Sequence, residues 1–202
     1  MTQLIENAVK NRIIGHGRGW CFTPKHFLDL DNDISVRKAL SHLQKQKFIR
    51  RIAQGLYDYP RTHEVLGVVA PNIEAVAQAI AEKNGTKIQA SGAYAANLIG
   101  LSEQVPGRVV FLTDGPPKKL KIGKLEILFR QATVKNMFAA GSRETLVVQA
   151  FKYMSKKNID ETMLKTTKKF LKGTTRRTFE KNLKFAPQWI RTLLFALMEN
   201  EL

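Results

Sequence analysis

Between residues 34 and 59 the chain joins a two-faced helix directly to a glycine-turned hairpin. Val36, Ala39, Leu40 and Leu43 fall on one side of a helix over about 34–47, and that side needs a partner to bury it. Phe48-Ile49-Arg50-Arg51-Ile52 and Leu56-Tyr57-Asp58-Tyr59-Pro60 then flank Ala53-Gln54-Gly55, two β-prone runs about a turn. The upstream residues supply the cover. Leu4, Ile5, Ala8, Val9 and Ile13 predict an amphipathic helix over 2–14, stopped at Gly15-His16-Gly17. Thr23-Pro24, a hydroxyl cap followed by proline at the first helical position, starts a short helix over 24–30 that buries Phe27, Leu28 and Leu30. Asp31-Asn32-Asp33 turns the chain and offers the next cap. Three helices followed by a basic hairpin make a winged helix-turn-helix, expected over residues 1–61.

The polar side of the third helix points to nucleic acid. Lys38, Ser41 and Lys45 lie opposite the apolar stripe, Arg37 and His42 flank them, and Ser35 sits near the N-terminal end. That face combines cations for phosphates with short hydrogen-bonding side chains for base edges, as major-groove reading requires. Arg50, Arg51 and Gln54 stand where the hairpin meets the backbone or minor groove. A solvated helix face is the ordinary alternative. The agreement of element order, element lengths and hairpin favours the DNA-binding module.

The charge balance agrees. The 202 residues carry a formal charge of +16 and a pI of about 10.1, and a polyanionic partner relieves the self-repulsion. The cations are not spread evenly. Residues 1–61 hold eleven Lys and Arg against five acids, and 151–187 hold eleven against three, while 62–117 hold three against five. Two cationic regions therefore flank a near-neutral middle. No apolar run is long enough for a membrane span, and the polar start Met1–Asn7 lacks the apolar core of a signal peptide. The single cysteine, Cys21, excludes an internal disulfide and a cysteine-based zinc site, so a reducing cytoplasm is expected.

The remainder reads as an α+β middle domain over 66–135 and a helical domain over 142–202 packing on it. In the middle, Pro71-Asn72 starts a helix closed by Asn84-Gly85, Lys87–Ala90 is a strand, and Ala93–Ile99 is a small-residue helix. Val109–Thr113, Lys119–Ile122 and Leu125–Phe129 complete an antiparallel sheet, with Lys118, Lys119, Lys121 and Lys124 read as guards of a solvated edge. Four helices follow: one from Ser142, one from Asn158 with Glu161 forming a capping box, one over Thr175–Leu183, and one after Pro187. Lys165, Lys168, Lys169, Lys172, Arg176, Arg177, Lys181 and Lys184 make this part basic; a solvated face and a binding surface explain them equally well.

Chemistry-bearing motifs are scarce. His16, His26, His42 and His63 are not at metal-ligand spacing, and there is no CxxC, HExxH or phosphate-loop motif. Gln89-Ala90-Ser91-Gly92-Ala93 only outwardly suggests a nucleophile elbow; Ser91 reads as a helix cap. A metal-dependent nuclease is the serious enzyme rival, with Asp114 and Glu126 on adjacent strands. However, position 128 is Leu, and nowhere does an acid stand two residues before a lysine. The expectation is a protein with no catalytic residues, no metal and no cofactor.

Several segments together resemble a known family. Arg18–Pro24 with Phe27–Leu30, Val36–Ser41, Ile49–Ile52, Gly55–Pro60, Ser91–Leu98, Gln104–Pro106, Leu112–Pro116 and Ala186–Trp189 are similar to the type IV toxin–antitoxin antitoxins of the abortive-infection AbiE kind. The likeness runs almost end to end; Cys21 departs from it, standing where an aliphatic residue is expected. It implies a winged-helix domain that represses its own operon, with Arg37, Lys38, Arg50 and Arg51 as DNA contacts. It also implies a C-terminal part that counteracts a nucleotidyltransferase-like toxin. The expected partners are double-stranded operator DNA, that toxin met directly or indirectly, and a second copy of the chain, with no membrane. A transcription regulator of a mobile element lacking any toxin is the alternative.

Overall fold

A computed structural model describes residues 2–199. Met1 and residues 200–202, at the outer ends of the first and last expected domains, lie outside the described residues. The chain is mixed α+β and divides into two compact units, Met1–Gly85 and Thr86–Leu202. None of its described helices is long and apolar enough to cross a membrane.

The first unit opens with α1 (Thr2–His16), β1 (Cys21–Phe22) and a single 3-10 turn over Pro24–Phe27. The sequence predicts an α-helix to residue 30, but the helix is cut short. Arg12 explains this, because its guanidinium donates to the His26 carbonyl (2.7 Å) and to both oxygens of Asp29 (2.6 and 2.7 Å). The carbonyl that an α-helix would offer to Leu30 N–H carries the Arg12 guanidinium, and Leu30 bonds Phe27 O in 3-10 fashion. Then come α2 (Asp33–Lys45), β2 (Arg50–Ala53) and β3 (Leu56–Asp58). These strands and β1 form an antiparallel sheet in the order β1-β3-β2. Val9, Ile13, Phe22, Phe27, Val36, Leu40 and Leu43 fill the core beneath it, each fully buried.

Two further elements complete this unit. A second hairpin, β4 (Thr62–His63) and β5 (Gly67–Val68), had no counterpart in the sequence reading. Helix α3 (Ile73–Asn84), capped by Asn72 and ended by Gly85 at φ +64°, was expected to open the middle domain. It belongs to the first unit instead. Lys25 Nζ donates to Lys83 O (2.6 Å), and His26 Nε2 meets Glu82 Oε2 (3.0 Å), tying α3 to the 3-10 turn.

The second unit merges the expected middle and helical domains. Its sheet comprises β6 (Ile88–Ser91), β7 (Arg108–Thr113), β8 (Lys118–Ile122) and β9 (Leu125–Gln131), ordered β6-β7-β9-β8. The sequence predicts an antiparallel sheet, and two of the three joins are so; the central pair β7–β9 is parallel. The connection explains the difference. Pro116-Pro117 has no N–H to close a tight turn, so β8 does not fold back on β7 and β9 enters between them. Gly115 lets this connection pass close to Thr86, whose methyl carbon would lie 2.4 Å from an added Cβ.

Helix α4 (Gly92–Leu98) lays Ala95 and Ala96 against α5 (Arg143–Met154), and α6 (Glu161–Leu171), α7 (Arg176–Asn182) and α8 (Gln188–Glu199) complete the unit. Phe151, Phe179, Leu183, Ile190 and Leu194 form its core. The α6 cap falls on Asp160, which accepts from Met163 N–H (2.8 Å), and not on Asn158 as expected. Asn158 is engaged elsewhere, donating its amide to Met154 O at the end of α5 (2.9 Å).

Candidate nucleic-acid interface

Helix α2 is built to show one face. Asn32 caps it by accepting from Ser35 N–H (3.0 Å), and Val36, Ala39, Leu40 and Leu43 are buried. The opposite face leaves Lys38, Ser41 and Lys45 exposed along one stripe, with Ile34 on the same line at 68% exposure. Ile34 was missed in the sequence as an apolar residue without a role; an exposed aliphatic group on such a stripe suits a thymine methyl. Ser35 is half-buried at the N-terminal end.

The flanking residues are less free than their sequence suggests. Arg37 Nε donates to Asp33 Oδ2 (2.5 Å) one turn back, an exposed pair. His42 Nδ1 meets Glu6 Oε2 of α1 at 2.5 Å, and Gln46 donates to the other Glu6 oxygen (3.2 Å). Glu6 is buried, so this bond staples α2 to α1 and leaves only Nε2 of His42 for an outside partner.

The hairpin separates its two arginines. Arg50, expected to touch DNA, turns Nε and Nη2 into the protein while its side chain stays 32% exposed. Nε and Nη2 donate to the two oxygens of Asp58 (3.0 and 2.6 Å), and Nη2 also reaches Val69 O (3.1 Å). Asp58 is 1% exposed, and its bond holds the Arg50 guanidinium above its ordinary pKa. Arg50 is therefore a tie between β2, β3 and the segment leaving the second hairpin. Arg51 and Gln54 are exposed, and among the described residues Arg51 has a long contact to Ala53 O (3.4 Å). Beside this tie, burial first and then Asp58 push the Cys21 thiol up to about 12, which keeps it protonated and unreactive.

Arg18 and Arg61, absent from the expected set, shape the same region. Arg18 Nη1 donates to Pro60 O (2.8 Å) and its guanidinium lies 4.8 Å from the Tyr59 ring centre. Arg61 runs along Gly19, where a Cβ would meet its Nε at 3.1 Å. The Gly17-Arg18-Gly19 pattern is the signal that points to such close backbone approach.

The two acids weighed for a nuclease do not converge. Glu126 lies beside Arg108 at the start of β7, whereas Asp114 follows its end, about 20 Å away at roughly 3.3 Å per residue. Asp114 accepts from Lys87 N–H (2.8 Å), and Glu126 pairs with Arg108 and with Lys119 on the edge strand β8. No group of three or more His, Cys, Asp or Glu placed to hold a metal ion occurs among the described residues.

No curated protein matches the sequence. Among solved structures, the crystal structure of the RV2827C protein from Mycobacterium tuberculosis is similar at a TM-score of 0.42 and 12% identity, over 89% of this chain and 71% of that one. A family model described as a family of unknown function, DUF6088, matches residues 8–179, which is most of the chain, and the protein therefore belongs to the DUF6088 family.

Proposed function

We propose that the first unit is a winged helix-turn-helix that binds operator DNA, and that the chain is the cytoplasmic antitoxin and autorepressor of a toxin–antitoxin operon. The observation that carries the DNA half is the exposed stripe of α2, Lys38, Ser41 and Lys45 with no acid among them. The sheet order β1-β3-β2 behind that helix supports the same reading. Lys38 and Lys45 neutralise phosphates, Ser41 and Ile34 meet base edges, and Arg51 and Gln54 follow the backbone beside the groove. Arg50 and His42 act as positioning residues, holding the hairpin and α2 in place. The C-terminal part counteracts a nucleotidyltransferase-like toxin, a role that rests on the resemblance stated above. This reading assigns the chain no catalytic step.

Two measurements test it. Purified protein should bind the DNA upstream of its own gene at modest salt, with an affinity that falls steeply as salt rises. Failure to prefer that DNA over unrelated duplex ends the regulator reading. Co-expression with a neighbouring nucleotidyltransferase-like gene should restore growth; continued toxicity removes the antitoxin role and leaves a plain regulator.

A further inference from the structure

The second hairpin of the first unit carries a bare apolar end. Val65, Leu66 and Val68 stand 86%, 75% and 58% exposed at and beside its tip. A single exposed aliphatic residue is ordinary, but three within four residues form a patch. The arm that bears them is fastened at both ends. At its base Val69 N–H donates to Arg61 O (2.9 Å), and Arg50 Nη2 donates to Val69 O (3.1 Å). At its tip His63 Nδ1 accepts from the N–H groups of Val65 (3.2 Å) and Leu66 (3.4 Å), and Gly67 turns the chain back at φ +67°. The patch is therefore held in a set geometry before anything covers it.

Among the described residues β4 and β5 pair only with each other, so both outer edges of this ribbon lack a strand. A two-stranded ribbon with bare faces is marginal in water and gains from a further strand or an apolar cover. Charge narrows what that cover can be. Residues 62–82 contain Glu64, Glu74 and Glu82 and no Lys or Arg, in a chain whose formal charge is +16. Glu64 sits at the tip, where it would repel the phosphates of a nucleic acid. Two copies of so basic a chain repel one another over most of their surfaces. Contact costs least where each presents an acid and apolar side chains.

We propose that this hairpin is the contact through which two copies of the chain associate. Val65, Leu66 and Val68 are buried against the second copy, and the ribbon edges pair across a two-fold axis. Such pairing is isologous, since the same edge serves on both copies, and its main-chain hydrogen bonds demand no particular side chains. A contact this small sets a weak, reversible dimer. The inference does not depend on the DNA reading, because it concerns the chain free of any ligand.

Sedimentation equilibrium of the full chain from about 1 to 200 µM, at about 0.15 M salt, tests it. The parent should show a monomer–dimer equilibrium within that range. The double variant V65S with L66S should weaken it by about tenfold or more. Both side chains are exposed, so the variant should melt as the parent does. E64K places a cation at each tip and should weaken the dimer by about threefold. A parent that stays monomeric at about 200 µM, or a dimer that the double variant leaves intact, overturns the contact. A monomeric parent whose affinity for duplex DNA falls in the double variant assigns the hairpin to nucleic acid and overturns it equally. An E64K dimer as tight as the parent's overturns the part given to charge.

Discussion

Residues 1–61 and 151–187 each carry eleven lysines and arginines, and the folded chain handles the two sets differently. In the first stretch Arg12, Arg37 and Arg50 each hold a carboxylate, and Arg18 holds a backbone carbonyl. The guanidinium fork serves there as a joint between elements, and Lys38, Lys45 and Arg51 are left facing outward. In the second stretch Arg176 pairs with Glu180 at the surface, and Lys165, Lys169 and Lys172 line a shallow hollow on α6. An equal number of cations therefore does not mean equal availability. A charge count describes the field around a protein, whereas hydrogen-bond partners decide which cations a ligand can reach.

The largest effect that would sharpen this contrast is expected at Arg50. R50A leaves the buried Asp58 carboxylate without its partner and should cost about 3 kcal/mol in urea unfolding, whereas R51A should lie within about 0.5 kcal/mol of the parent. A stable R50A that has lost DNA affinity breaks the comparison, because Arg50 would then be a contact and not a joint. Next come the lysines of α2. K38A and K45A should each flatten the salt dependence of DNA binding by about 0.9 in the log–log slope, while K165A and K169A leave it unchanged. An equal loss from both pairs makes the second stretch part of the interface.

A smaller effect separates the buried acids. Burial pushes the Glu144 carboxyl up, but hydrogen bonds from Asn182, its own backbone, Thr174 and Ser142 outweigh that, so its pKa stands below the usual value. A depressed folded-state pKa contributes stability above the ordinary carboxylate range and loses it as pH falls through the lower folded value. E144Q should accordingly flatten the acid side of a stability–pH profile; a profile as steep as the parent's would remove Glu144 from that account. The smallest effect belongs to the exposed Arg37–Asp33 pair. R37A should change stability by about 0.5 kcal/mol or less, and a thermal shift of several degrees would contradict its description as a surface pair.

Local pattern made much of the fold legible. The apolar stripes of α1, α2 and α8 are each visible in sequence, because burial of one helix face imposes a 3.6-residue period that neighbours cannot disguise. The cap at Asn72, the helix start near Ser142 and the Gly85 stop are equally readable, since each depends on a few adjacent residues. Longer-range events were not. The 3-10 turn at Pro24–Phe27 depends on Arg12 reaching a carbonyl fourteen residues away, and the parallel join of β7 and β9 depends on which strand enters a gap. The buried amide of Gln89, which accepts from Gly141 N–H and the Thr145 hydroxyl and so ties β6 to the start of α5, carries no sequence signal at all.

What the sequence alone determined is the set of surfaces this chain must bury and the excess of positive charge it must expose, because both follow from residue type and spacing. Tertiary structure decided which cations remain available. An arginine beside a buried aspartate and an arginine beside solvent are identical in a list of residues. Only the three-dimensional path of β2 and β3 places Asp58 in reach of Arg50 and leaves Arg51 on the outside. Partner choice for a charged group is set by distance and burial, and neither exists until the chain has folded.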